Sequence, residues 1–319
     1  MSALEKYREL CANESSVPLF SQAWWLDTVC ENKDWGVCLV EKNGEVHASM
    51  PYCMRNRFGY TLLAHPPLTK TLGPWIRPSK ARYSKCLAQQ KKLMSNLIDK
   101  LPQYSHFSQN WHYSMSNWLP FYWQGFQQTT RYTYVIEDLT NSDKLWINTL
   151  ENIRREIRKA TTRFNLKVRT DLDIEEFLLL NKMTFQRQGI KTPYSDAFVR
   201  KINNMTIQRM QSKFFIAQDP QGNNHAGVYI IWDNNSAYYL MGGADPRLRN
   251  SGATSLCMWE AIKFASTVTK TFDFEGSMIE SVERFFRGFG AVQKAYSNIT
   301  NTPSKSLRGI MALKQITYS

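Results

Sequence analysis

The 319-residue chain contains no run of about 18 apolar residues that could cross a bilayer, and its opening MSALEKYREL is too polar for a secretory signal. A soluble, cytoplasmic protein is therefore expected. The six cysteines (Cys11, Cys30, Cys38, Cys53, Cys86, Cys257) form no Cys-x-x-Cys pair and are too sparse for a disulfide framework. The five histidines (His47, His65, His106, His112, His225) do not fall at metal-ligand spacing, so no metal is expected. Acidic residues are also in short supply: 27 stand against 40 basic ones, a net charge of +13. RNA, a nucleotide-linked substrate, coenzyme A and an anionic membrane surface all fit that excess, so tRNA and peripheral membrane contact are both candidate partners.

Core-forming material is plentiful. Apolar residues make up 43% of the chain and aromatics 13%, which argues against disorder, and the length suits two cores better than one. A duplication supports two domains. VCLVEKNGEVHASMPYCMRNRFGYTLL (37–63) and FIAQDPQGNNHAGVYIIWDNNSAYYLM (215–241) align without a gap at an offset of 178, matching Gly44 with Gly222, His47 with His225, Asn56 with Asn234 and Tyr60 with Tyr238. Both read as apolar strand, Gly turn, second strand, polar turn, third strand. Looser echoes keep the same order: FSQAWWLDTV with YSDAFVRKI, and FYWQGF with FFRGF. The expected fold is α/β of mixed α+β character: two tandem domains, 1–145 and 146–319, each a mostly antiparallel mixed sheet flanked by helices. The tail SLRGIMALKQITYS could belong to either.

Trp146, Leu150, Ile153, Ile157, Ala160 and Phe164 recur at spacings of three and four, which predicts one helix from about Asp143 to Arg163. Arg155, Lys159 and Arg163 form a basic row on it. The row reads either as a solvated face or as a surface for RNA or phosphate. Further on, in YYLMGGADPRLRNSGATSLCMWEAIKFA (238–265), a strand ends at Gly242 and Gly243, a basic loop follows, and a helix starts near Gly252. A helix start offers unpaired amides and a positive dipole end to phosphate oxygens, and Arg247 and Arg249 add charge.

DPRLRNSGATSL resembles the acyl-CoA-binding loop of GNAT acetyltransferases: Pro246, Arg249 and Gly252 match, while Thr254 stands where a glycine is usual. With NIRREIRKATTRFNLKV, KTPYSDAF and FDFEG…RFFRGFGA, the whole chain resembles the FemAB/FemX group, tandem-GNAT proteins that transfer aminoacyl groups from tRNA to peptidoglycan precursors, and related N-acyltransferases. The resemblance implies direct transfer of an acyl group from acyl-CoA or aminoacyl-tRNA to an amine, the acceptor being a small molecule or a cell-wall precursor. It places the donor at Met241, Gly242, Gly243, Arg247, Arg249 and Gly252, with backbone amides near Met241 and Gly242 meeting the oxyanion. FemX-like sequences commonly carry Phe-Lys before the closing Gly-Phe. Here Phe285-Phe286-Arg287 puts the charge one residue later, on Arg287, which leaves tRNA as donor open.

In FDFEG, strand alternation would aim Asp273 and Glu275 to one side and Phe272 and Phe274 into the core. A carboxylate there could hold the acceptor ammonium or take its proton. Alternatively, one of the pair simply bonds a neighbouring Arg or caps the following turn, and Glu275 is favoured over Asp273 for a direct substrate role. At the corresponding place the first half reads AHPPLTKTLGPWIRPSKARY, stiffened by four prolines, so one donor site is expected, in the second domain. Tyr60, His65 and Trp75 would line the acceptor side, although His65 and Trp75 also read as structural. A third reading is a degenerate tandem GNAT that binds an anionic ligand without chemistry.

Overall fold

The computed structural model describes residues 1–30, 34–276 and 278–317. The chain divides into two compact units, 1–131 with 295–319 and 132–294. The division falls earlier than residue 145, and the C-terminal segment joins the first unit. Among the described residues no helix is long and apolar enough to cross a membrane.

The first unit opens with α1 (Ala3–Asn13), started by a Ser2–Glu5 capping box, and α2 (Ala23–Val29). Strands β1 (Trp35–Lys42), β2 (Glu45–Arg57) and β3 (Tyr60–Leu63) form an antiparallel meander, and β4 (Trp75–Ile76) pairs with β2. After α3 (Tyr83–Ile98), β5 (His106–Asn110) returns parallel to β3, and α4 (Leu119–Trp123) follows. Residues 298–301 of β12 (Val292–Asn301) pair antiparallel with β5, which is why the chain's end belongs here, and α11 (Lys305–Thr317) closes the unit. Aromatic edges fill the core: Trp111, Phe121, Phe126 and Phe107 meet in succession at 4.7, 5.0 and 5.4 Å between ring centroids.

The second unit repeats the plan. Strands β8 (Ser212–Gln218), β9 (Asn224–Trp232) and β10 (Ala237–Ala244) form an antiparallel meander, β11 (Phe272–Asp273) returns parallel to β10, and α10 (Glu280–Arg287) follows. Residues 132–136 of β6 (Gln127–Ile136) flank β11 on one side, and β7 (Lys167–Arg169) flanks β8 at the far edge. Gly44 and Gly222, matched by the offset of 178, both sit in strand-connecting turns with φ of 82° and 86°. Each unit is thus completed by the strand that follows the other unit's short helix.

Strand β9 is buried on both faces, and its alternation sorts the helices. Ala226, Val228 and Ile230 join a core with α6 (Glu151–Thr162) and α9 (Ala253–Ala265). Gly227 and Tyr229 meet α7 (Ile174–Arg187) and α8 (Asp196–Gln208): a Cβ on Gly227 would press on Phe177, and the Tyr229 hydroxyl bonds Thr206. Asp173 and Ser195 cap α7 and α8 by accepting from Glu175 and Phe198 amides.

The single helix expected from Asp143 to Arg163 is instead two, α5 (Ser142–Asn148) and α6, broken at Thr149 and Leu150. The break has a partner. The Leu150 amide donates to the Gly288 carbonyl at 2.8 Å, and a Cβ on Gly288 would lie 2.7 Å from Ile153. Gly290, at φ 79°, packs equally closely on Asn148. The glycines of Arg-Gly-Phe-Gly therefore admit the α5–α6 junction.

Candidate functional site

Strands β10 and β11 pair over two residues only, Ala237 with Phe272 and Tyr238 with Asp273. β11 then ends while β10 runs on to Ala244, so the sheet opens between them. Leu240 is an extra residue in β10, since Tyr239 pairs with Ile230 and Met241 with Tyr229. This bulge puts Tyr239 and Gly242, three apart, on one face, and the Tyr239 hydroxyl occupies the place of a Gly242 side chain. Along the open edge α7 supplies polar partners in place of a strand. Asn181 Nδ2 donates to the Gly242 carbonyl at 2.8 Å, and the Ala244 amide donates to Thr184 Oγ1 at 3.0 Å. The Gly242 amide shares that edge, because N–H and C=O of one antiparallel-strand residue point the same way. Gly243 faces the helix: a Cβ there would run into the Leu180–Asn181 backbone.

Two phenols border the opening. Tyr194 donates to Asn181 Oδ1 at 3.1 Å, and burial raises its pKa to about 12 although that bond pulls the other way. Burial raises Tyr239 still further, with Tyr194 adding to the shift. Both are neutral at ordinary pH. The Tyr239 ring meets Phe286 at 5.7 Å, and Phe286 meets Phe274 at 4.9 Å, so RFFRGF and FDFEG build one aromatic wall.

The two carboxylates do not share a role. Asp273 is 4% exposed and accepts from Thr133 Oγ1 at 2.5 Å and from the Glu275 amide at 2.8 Å. Glu275 lies beyond the strand, half-buried, with φ of +60°, and Gly276 follows at +69°. Simple alternation fails at Glu275 because the chain turns in left-handed conformation, tied by Asp273. A Cβ on Gly276 would lie 2.5 Å from the Tyr132 carbonyl, so the glycine is required for the turn to pass β6. Phe272 and Phe274 are buried as alternation predicts.

At the α9 start, Gly252 takes φ of +79° and no side chain caps the helix, leaving its first amides without that partner. A Cβ on Gly252 would collide with the Glu156 carbonyl of α6. Its glycine is needed for helix packing, a reason the sequence did not disclose, and the same contact sets Glu156 of α6 beside the loop. Arg249 is exposed without an ionic partner among the described residues, whereas Arg247 is held by the buried Asp245 at 2.7 Å, which keeps that carboxyl below its ordinary pKa. The Ser251 hydroxyl is buried without a hydrogen-bond partner among the described residues. Uncapped amides, an orphaned hydroxyl and unpaired Arg249 fit an anionic carrier group.

Other expected residues separate in the same way. Lys159 pairs with Glu156 at 2.5 Å, while Arg155 is exposed and Arg163 lies 5.7 Å from the Phe164 ring. Arg287 pairs with Glu283 at 2.8 Å. In the first unit, His65 Nδ1 meets the Thr69 carbonyl at 3.1 Å and Nε2 accepts from the Asn110 amide at 2.7 Å, which engages both ring nitrogens in backbone bonds. Trp75 is buried with its Nε1 donating to Ser16. Tyr60 bonds Ser306 at 3.2 Å. Asn181, Thr184, Tyr194 and Tyr239 were not singled out from sequence. Tyr194 lay inside the quoted KTPYSDAF, but nothing in its spacing marked it.

Residues 148–283 match the acetyltransferase (GNAT) domain family. Over 97% of this chain and 98% of the other, the structure superposes on the crystal structure of FemX with a TM-score of 0.69 at 14% identity. The chain has a FemX-like GNAT acyltransferase fold. The C-terminal domain of a putative lysylphosphatidylglycerol synthetase from Agrobacterium fabrum is also similar (TM-score 0.56, 11% identity, 99% of this chain and 96% of that one). So is a tandem GNAT protein from the clavulanic acid biosynthesis pathway (TM-score 0.53, 8% identity, 94% of each chain). No curated protein matches the sequence significantly.

Proposed function

We propose that this FemX-like chain is an N-acyltransferase that moves an acyl group from an anionic carrier to an amine by direct attack at the opening between β10 and β11. The observation that carries the reading is the bulged, unpaired edge of β10, where the Gly242 amide can meet a developing oxyanion. The carrier's phosphates would lie at the uncapped start of α9 beside Arg249. The acceptor nitrogen attacks the acyl carbon and its proton passes to Glu275. As the bond to the carrier breaks, the leaving sulfur or oxygen takes up that proton from Glu275, which restores the carboxylate, while Tyr239, held neutral by burial, can donate a hydrogen bond to the departing atom. Asp273 fixes the turn that presents Glu275.

Acyl-CoA and aminoacyl-tRNA are both anionic carriers. Exposed Arg155 on α6, together with the FemX likeness, favours the second and a peptidoglycan-precursor acceptor; displacement of Lys in Phe-Phe-Arg favours the first. Equilibrium titration with acetyl-CoA and with aminoacyl-tRNA over a range of salt tests this. Binding of either donor, weakened about tenfold by Arg249→Gln, supports the proposal. Binding of neither would leave a non-catalytic anion-binding role.

A further inference from the structure

The turn between β2 and β3 contains a large side chain where one is unfavourable. Phe58 and Gly59 have φ of 50° and 78°, the two positive values that usually select Asn-Gly. Phe58 is nevertheless 86% exposed and contributes nothing to the core. The Arg57 guanidinium lies 5.2 Å from its ring centroid, and Arg55 is exposed on the same hairpin. Tyr60, at the base of the turn, bonds Ser306 in the first turn of α11, joining the two elements. On α11, Ile310, Met311 and Leu313 are exposed, Leu313 to 68%, among Lys305 and Arg308. Residues 55–60 and 302–317 include five basic residues, Arg55, Arg57, Lys305, Arg308 and Lys314, and no Asp or Glu.

Exposed aliphatic and aromatic side chains interleaved with an excess of positive charge suit the boundary between acyl chains and anionic headgroups. An RNA surface would call for stacking platforms, whereas three of these four apolar residues are aliphatic. We propose that the β2–β3 turn and α11 form a docking surface for an anionic bilayer. Phe58, Ile310 and Leu313 enter the headgroup region while Arg55, Arg57, Lys305 and Arg308 meet lipid phosphates. This does not depend on the acyl-transfer reading.

The test is co-sedimentation of the full chain with vesicles of phosphatidylcholine alone or mixed equally with phosphatidylglycerol. Binding is expected only to the mixed vesicles and should weaken with salt. Changing Arg55, Arg57, Lys305 and Arg308 together to Gln should reduce partitioning on the order of 1000-fold. Phe58→Asn with Leu313→Ser should reduce it roughly tenfold or more. Phe58→Asn alone suits the turn, so it should raise the melting temperature while lowering vesicle binding, which separates docking from loss of fold. Failure of the wild type to bind mixed vesicles overturns the proposal. So would unchanged binding in the variants, or self-association that the variants abolish, which would assign the surface to a second copy.

Discussion

Asn181 donates to the Gly242 carbonyl at 2.8 Å while accepting from the Tyr194 hydroxyl at 3.1 Å, so one buried amide links α7, the α7–α8 loop and the open edge of β10. Asn181→Leu leaves both partners unsatisfied and should cost roughly 1–3 kcal/mol of stability. Tyr194→Phe removes one bond and should cost about 1 kcal/mol. Thermal unfolding checks both values, and equal costs would mean that Asn181 makes only the Tyr194 bond.

The acidic pair should divide by function. Asp273→Ala strips partners from Thr133 and the Glu275 amide and should lower stability by roughly 2–3 kcal/mol. Glu275→Gln should leave stability within about 0.5 kcal/mol. Turnover in Glu275→Gln should drop about 100-fold with donor affinity retained. Unimpaired turnover would make the carboxylate structural.

Gly252 and Arg249 should separate in the same manner. Gly252→Ala forces a Cβ onto the Glu156 carbonyl at positive φ, and its effect should appear as more than about 1 kcal/mol of lost stability. Arg249→Gln should leave the melting temperature unchanged and weaken the donor. A stable Gly252→Ala protein would show that α6 can move away.

Burial lowers the His65 pKa from 6.5 to about 4, the Arg131 charge adding to the effect and the Thr69 carbonyl opposing it. Between these values the unfolded chain binds a proton that the folded chain refuses. Stability attributable to His65 is therefore complete above pH 6.5 and is lost as pH falls towards 4, with a slope of at most about 1.4 kcal/mol per pH unit. In His65→Gln that part of the slope should vanish. Urea unfolding at several pH values measures it, and parallel curves would contradict the assignment.

The repeated meander was legible because its strands share a two-residue period and its glycine turns recur at a fixed offset, Gly44 with Gly222. Three features were not legible. The helix break at Thr149 and Leu150 depends on the distant Gly288 carbonyl, and nothing local announces it. The requirement for Gly252 comes from the Glu156 carbonyl, so a glycine that looked adapted to a ligand is also adapted to a helix. The left-handed turn at Glu275 ends a strand that alternation alone would extend.

The most direct measurement is hydrogen–deuterium exchange of the full chain with and without donor. With acetyl-CoA or aminoacyl-tRNA bound, amides from Met241 to Leu256 should gain protection. Arg249→Gln should lose that protection at the same donor concentration while its exchange without donor stays that of the wild type. Protection confined to other segments, or none with either donor at concentrations that support acyl transfer, would contradict a donor site at the open edge of β10 and the start of α9.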